Sequence, residues 1–355
     1  MNILTIMASA LLFGPGSEEQ PSLHCDDPLV IDLNESMAEA CEPERGRDAL
    51  AAAAIAWSDR KGCVTCHTNG AFLLAGAWGP PSELHPPVRA FARRYLARFV
   101  EGSEPPAGRH GAIEGLVSTA AFSAIAESRS EGLSEETRAA LRHVLDQQDE
   151  AGAWNQWLQC RWPPFEVDAH YGATLFAVAA GSSSTDPLWK ESKVRREWKR
   201  LQGWLQQHPP DGAHQVAMML WAAQDRPELA SKSQRQKWQT TLLDGQRDDG
   251  GWSIHEGRHA TWPKPPERIE SDAYATAFMT FVLLRSGLPT EQDAMTSALL
   301  WIRQHQGESG RWSLRSPRGG RHHYLSFTAT AFSWMALVEA SAEGRRPTGA
   351  GGGDQ

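Results

Sequence analysis

Gln148-Asp-Glu-Ala-Gly152-Ala-Trp154, Gln246-Arg-Asp-Asp-Gly250-Gly-Trp252 and Gln306-Gly-Glu-Ser-Gly310-Arg-Trp312 are three copies of one pattern, Q-x-x-x-G-x-W. A second shared element follows each copy: Ala173-Thr-Leu-Phe176, Ala275-Thr-Ala-Phe278 and Ala329-Thr-Ala-Phe332. The threonine trails the tryptophan by 20, 24 and 18 residues, so the unit has two fixed parts and a variable loop. That is the signature of a repeat architecture. The tryptophan count agrees: 15 in 355 residues, against 4 tyrosines. The first element suits a turn between helices. Its Gly can take φ > 0 and end a helix, its Gln can bond free backbone groups at a helix end, and its Trp can stack on the next hairpin. A structural staple is therefore the expected role of these residues.

The segments on either side read as helices of two kinds. Val88, Phe91, Ala92, Tyr95, Leu96 and Phe99 recur at i, i+3, i+4, i+7, as do Val194, Trp198, Leu201 and Leu205, and Met295, Ala298, Leu299 and Ile302. Thr290 and Asp293 suit the cap of that last helix. Segments such as 274–287 and 325–341 are apolar nearly all round, which predicts burial. Outer, amphipathic helices are expected at 46–58, 86–101, 134–148, 190–207, 228–244 and 290–305. Inner, apolar ones are expected at 70–78, 111–127, 168–181, 212–225, 271–287 and 325–341. Alternating β-branched runs are absent. Six hairpins is the number that closes a ring, so the expected fold is all-α, a single (α/α)6 toroid.

Charge excludes one class of partner. The net charge is −8 and no basic stripe is present, so nucleic acid is not expected. No apolar run approaches the ~20 residues of a membrane span, which leaves at most peripheral membrane contact. Residues 3–13, ILTIMASALLF, have the length of a signal-peptide core. The expected organisation is a signal peptide over 1–20, an N-terminal extension over 21–45, the toroid over 46–341 and a polar, glycine-rich tail over 342–355. Export to a periplasmic compartment is the matching expectation, and there Cys25 and Cys41 could pair while Cys160 is left over.

The repeats resemble those of the terpenoid cyclase and protein prenyltransferase superfamily, whose fuller form has an aromatic and an aliphatic residue before the Gln. Trp301-Ile302, Gln306, Gly310 and Trp312 match that form, and Trp204-Leu205 before Pro209 and Gly212 looks like a degenerate copy. The resemblance covers roughly 46–341. It implies an α/α toroid with a central apolar cavity for an isoprenoid or triterpenoid-like ligand. The family's acid motif, D-x-D-D, is absent. Asp248-Asp249 lies inside a repeat copy and Asp26-Asp27 near the N-terminus. The magnesium motif D-D-x-x-D is also absent. Asp272-Ala273-Tyr274 lacks the Cys of the prenyltransferase zinc site, and without that thiolate a zinc site is poor.

Cys63-Val-Thr-Cys66-His67 reads as a c-type haem attachment site. Two thiols add to the vinyl groups of haem and the adjacent His is delivered to the iron. Random placement of these residue types gives on the order of 0.003 such motifs in this chain. The expected cofactor is covalent haem c, with Cys63, Cys66 and His67 as its site and His67 on the iron. Zinc, a redox dithiol and a structural role stay open as alternatives. The motif falls where the first hairpin has its turn. For a distal ligand, His323 beside His322 is the first candidate. His170, His214, Met218 and Met219 on inner helices, and His255 and His259 in loops, are others.

Asp168 and Asp272 hold matching places at the starts of inner helices, before Tyr171 and Tyr274. Each is either a helix cap or an acid at the cavity mouth. Glu114 is a weaker acidic candidate on an apolar helix. The leading functional expectation is a haem-dependent redox protein acting on an apolar isoprenoid-like ligand, with a redox partner. The alternatives are a terpene-cyclase-like isomerase or prenyltransferase-like enzyme without haem, and a lipid-binding scaffold without catalysis.

Overall fold

The computed structural model describes residues 27–102, 112–154, 164–165, 169–256, 268–317 and 323–341. Twelve α-helices alternate between two layers among them. The outer layer holds α1 (Pro43–Lys61), α3 (His85–Val100), α5 (Glu135–Asp146), α7 (Ser192–Gln207), α9 (Lys232–Asp244) and α11 (Asp293–Gln304). The inner layer holds α2 (Asn69–Ala75), α4 (Ala112–Ser128), α6 (Ala169–Ser182), α8 (Ala213–Asp225), α10 (Ala273–Arg285) and α12 (Leu325–Ala340). The inner helices pack in sequence order, and α12 returns to α2 and α1. The ring is closed, as expected for a single (α/α)6 toroid. No strand forms among the described residues beyond an isolated bridge between Met37 and Gly307.

Patterning explains the layers. α7 buries Val194, Glu197, Trp198, Leu201, Trp204 and Leu205 and turns its remaining, mostly charged and amide side chains outward, so it can sit only at the periphery. α10 is buried from Ala273 to Leu284 and has no face for water. Ser134 and Ser231 cap α5 and α9, accepting from the N–H groups of Thr137 and Gln234 at 3.2 and 3.1 Å. The expected Thr290 cap on α11 does not form. The chain first makes a turn from Pro289 to Gln292, so the helix begins at Asp293 with Gln292 as its N-cap.

The three repeat turns share one geometry. The indole N–H groups of Trp154, Trp252 and Trp312 donate to the carbonyls of Val144, Leu242 and Ile302, at 3.0, 2.7 and 2.7 Å. Gly152, Gly250 and Gly310 have φ of 97°, 87° and 85°. A Cβ at any of them would meet a carbonyl oxygen of the next outer helix, Arg200, Ser297 or Arg45, within 2.9 Å. The glutamines reach the same neighbours, donating to the carbonyls of Glu197, Ala294 and Glu42 at 3.3, 2.8 and 2.9 Å. Each turn thus fastens its hairpin to the following one, and Gln306 fastens the last hairpin to the first. The second half of the repeat has its reason here. The Thr276 and Thr330 hydroxyls accept from the backbone N–H groups of Trp252 and Trp312 at 3.0 and 3.1 Å.

Residues 35–38 strap the same seam. Ala38 N–H donates to the Gln306 carbonyl at 2.8 Å, and the Glu35 carboxylate accepts from Ser309 N–H at 2.8 Å. No helix among the described residues is long and apolar enough to cross a membrane. Residues 1–26 and 342–355, which carry the signal-peptide and tail expectations and Cys25, lie outside the described residues, as does Cys160.

Candidate functional site

Up-and-down alternation brings the N-termini of all six inner helices to one end of the ring. Polar and aromatic residues concentrate there. His67 precedes α2, and Glu114 sits in the first turn of α4. His170, His214 and Tyr274 are each the second residue of α6, α8 and α10, and Tyr324 is the N-cap of α12. Glu114, His170, His214 and Tyr274 are buried.

Below this end the ring narrows to an aromatic throat. Cys66, Phe165, Tyr171, Trp221, Tyr274 and Phe332 stand in its wall. Their rings interlock: Phe165–Tyr171, Phe165–Tyr274 and Tyr274–Phe332 have centroids 5.3, 5.7 and 6.0 Å apart. The open volume is about 10 Å³, room for about one water. The cavity expected at the centre of the toroid is therefore apolar and, in this form, almost filled.

Tyr274 connects the throat to polar groups. Its hydroxyl lies 2.8 Å from Nε2 of His214. Burial pushes the His214 imidazole down to about 3, with His170 adding to the effect, and holds the Tyr274 phenol well above its usual range. Near pH 7 the pair is neutral and hydrogen-bonded. A second void of about 10 Å³ lies between His214, Ser253, Ile254, Glu256 and Tyr274. Ile254 and Glu256 also face a surface groove of about 1360 Å³ that includes Asp249, Asp272, Trp301 and Arg315.

Asp272 is the N-cap of α10. Its carboxylate accepts from Ala275 N–H at 2.8 Å and from Ile254 N–H at 2.6 Å. Burial pushes this carboxyl up to about 6, against the pull of its backbone donors and Ser253. The geometry is that of a cap joining the repeat turn to α10, two residues before Tyr274 of the throat wall and at the edge of the surface groove. Asp168 lies outside the described residues.

The first turn, 62–70, is built differently. Gly62, with φ 65°, ends α1. Asn69 then knits the loop: its amide donates to the Cys63 carbonyl and the Ser58 hydroxyl at 2.9 and 3.1 Å and accepts from Thr65 N–H at 2.9 Å. The His67 ring lies edge-on between Trp57 and Tyr324, with centroids 5.5 and 5.6 Å away, and its Nδ1 is 2.9 Å from the Thr68 hydroxyl. Cys63 is half-buried beside Trp57, near Lys61 and Arg98; its thiol is pushed up, first by burial. Cys66 is 3% exposed and faces the throat. No disulfide joins them.

A haem held through this motif must lie against both thiols and the His67 ring at once. Here Cys63 lies beside Trp57, near Lys61, Tyr95 and Arg98, and Cys66 lies in the throat wall, so a haem held by both thiols would need this turn to rearrange. Zinc has no better seat: among the described residues no group of three or more His, Cys, Asp or Glu is placed to hold a metal. His323 shares its side of the ring with His67, through Tyr324, but its Nδ1 faces the Ser316 N–H at 3.5 Å. His322 and His259 lie outside the described residues.

One recurrent device is a stacked His–Trp pair at the end of two outer helices. His208 stacks on Trp204 and His305 on Trp301, with centroids 4.0 and 3.7 Å apart, each His Nδ1 against the Trp carbonyl. The W-x-x-x-H spacing was there to be read, and it identifies Trp204 as the counterpart of Trp301.

No protein-family model matches the sequence. No curated protein matches it either. Solved structures do resemble the fold. The ent-copalyl diphosphate synthase from Streptomyces platensis is similar at a TM-score of 0.52 and 16% identity, over 77% of this chain and 50% of that one. This chain therefore spans about half the length of that protein. The type II terpene cyclase MstE from Scytonema is similar at 0.51 and 13%, over 84% of this chain and 98% of that one. A UGL variant with dGlcA-Glc-Rha-Glc is similar at 0.53 and 12%, over 85% and 98%. The fold is thus an α/α toroid of the kind that terpene cyclases and glycosidases also have.

Proposed function

We propose that the chain binds an apolar, isoprenoid-like ligand in the aromatic throat, whose rings part to admit it, as a terpene-cyclase-like toroid without haem. The observation that carries this is the wall itself: Phe165, Tyr171, Trp221, Tyr274 and Phe332 converge on one axis and are closed off from water. Such ring faces bind apolar chains, and they stabilise positive charge developing on a bound hydrocarbon. Terpene cyclases among the structural neighbours agree with an isoprenoid ligand. In this reading Asp272 supplies the proton at the rim. It stands two residues from Tyr274, and with a value near 6 it is partly protonated at neutral pH.

The test is retention and turnover. The purified chain is incubated with squalene or with geranylgeraniol, re-isolated, and extracted for gas chromatography with mass spectrometry. Retained isoprenoid is expected. Any isomerised product is expected to vanish in Asp272→Asn while retention survives. Failure to retain either compound would contradict the proposal.

A further inference from the structure

The throat, the second void and the surface groove stand in series. Tyr274 walls the throat and the second void, while Ile254 and Glu256 wall the second void and the groove. We infer that ligand enters the throat from the side, through the groove at the fifth hairpin, and that Tyr274 is the gate, latched by its hydrogen bond to His214. The inference rests on the throat as the ligand seat and adds the route and the residue that controls it.

The latch suits that position. Tyr274 lies on α10 and His214 on α8, so the bond spans two hairpins, and its loss frees the phenol ring without breaking a helix. The ring has an apolar surface to lean on, since its phenylalanine neighbours are Phe278, stacked on it, and Phe165 and Phe332, edge-on to it, none of which bonds the hydroxyl. The groove side is held open by fixed groups. Arg247 pairs with Glu256 and donates to the Ile269 carbonyl at 3.0 Å, pinning both rims. The far side of the throat is different: Phe122 on α4 is backed by Gly70 and the rest of the packed core and adjoins neither the groove nor the second void.

Cys66 in the throat wall is a reporter for access. The full chain is made with Cys25, Cys41, Cys63 and Cys160 changed to Ser, and the labelling rate of Cys66 by N-ethylmaleimide is followed under native conditions. Tyr274→Ala is expected to raise that rate at least about tenfold, and Phe122→Ala, a comparable cavity on the closed side, to leave it within about twofold. Tyr274→Phe keeps the ring and removes only the latch. It covers the case in which the Ala variant unfolds, and it is expected to raise the rate about tenfold, the shift one lost hydrogen bond gives an opening equilibrium. An unchanged rate in Tyr274→Phe, or an equal rise in Phe122→Ala, overturns the gate. Labelling reports access whether or not an isoprenoid binds. A faster rate that geranylgeraniol does not slow therefore leaves the gate standing and removes the isoprenoid seat. A rate that geranylgeraniol slows equally in all variants removes the gate alone.

Discussion

In the last hairpin, the turn from outer to inner helix drives a fully buried tryptophan back under its own outer helix and reaches forward with Gln306 to the start of α1. In the first hairpin, the equivalent turn contains no tryptophan. Asn69 holds it from within, and its freed positions carry Cys66 into the throat and His67 to the rim. The two turns occupy equivalent places. One is committed to closing the ring, the other to lining what the ring encloses. A repeat fold can vary a single turn in this way because the three stapled turns keep their hairpins in register.

The sharpest way to break this comparison is at the staple. Trp312→Ala removes a buried indole and the bond to Ile302, and should cost about 3–5 kcal/mol in urea unfolding. A loss below ~1 kcal/mol would mean the last turn is no staple. Gly310→Ala forces a Cβ onto the Arg45 backbone at a φ that L-residues avoid, and should cost about 1–3 kcal/mol. Gly62→Ala, in the first turn, meets nothing within 4 Å and carries only the strain of its φ of 65°, so it should cost less than Gly310→Ala. The reverse order would contradict the contrast.

Protonation adds a smaller, signed effect. His214, pushed down to about 3, and His85, pushed down to about 4, are held neutral in the fold. The unfolded chain takes up their protons first, so stability falls as pH drops below about 6.5 toward those values. Asp272, raised to about 6, acts oppositely. Its contribution is full below its unfolded value of 3.8 and is lost as pH rises through 6. Between about pH 4 and 6 it therefore offsets the histidines. Thermal melts across this range should show a steeper acid loss in Asp272→Asn than in the parent; a shallower one would reverse the assignment. The smallest expected effect is none. Expressed with c-type maturation, the chain should give no haemochrome spectrum after denaturation, because Cys63 and Cys66 have separate surroundings in this fold, one beside Trp57 and the other in the throat wall. A haem-linked band, lost in the Cys63→Ala, Cys66→Ala double variant, would show that the first turn can open to a cofactor.

Much of this molecule was legible in its residues. All-round apolarity over 274–287 and 325–341 can be satisfied only by burial, and the amphipathic stripes between such segments can be satisfied only at the periphery, so the six hairpins follow. The Gly and Trp of each repeat announced a turn because only certain side chains tolerate its φ or fill its volume. The site was less legible. Motif spacing in Cys63–His67 states that two thiols and an imidazole are near one another. It does not state which way each thiol faces, which is set by the left-handed Gly62 and by Asn69 bonding across the loop. Likewise Asp272 reads as cap or acid from its position, and only the Ile254 contact and its burial reveal that it also ties the repeat turn. The Tyr274–His214 contact joins residues 60 apart and has no local signal at all.

The contrast between the two thiols gives the most direct test of the throat as a ligand seat. Two single-thiol chains, one keeping Cys66 and one keeping Cys63, are labelled with N-ethylmaleimide with and without geranylgeraniol. The throat account predicts that geranylgeraniol slows Cys66 several-fold and leaves Cys63, on the side of α3, unchanged. Equal rates at Cys66 with and without the isoprenoid, in a chain that remains folded, would contradict it.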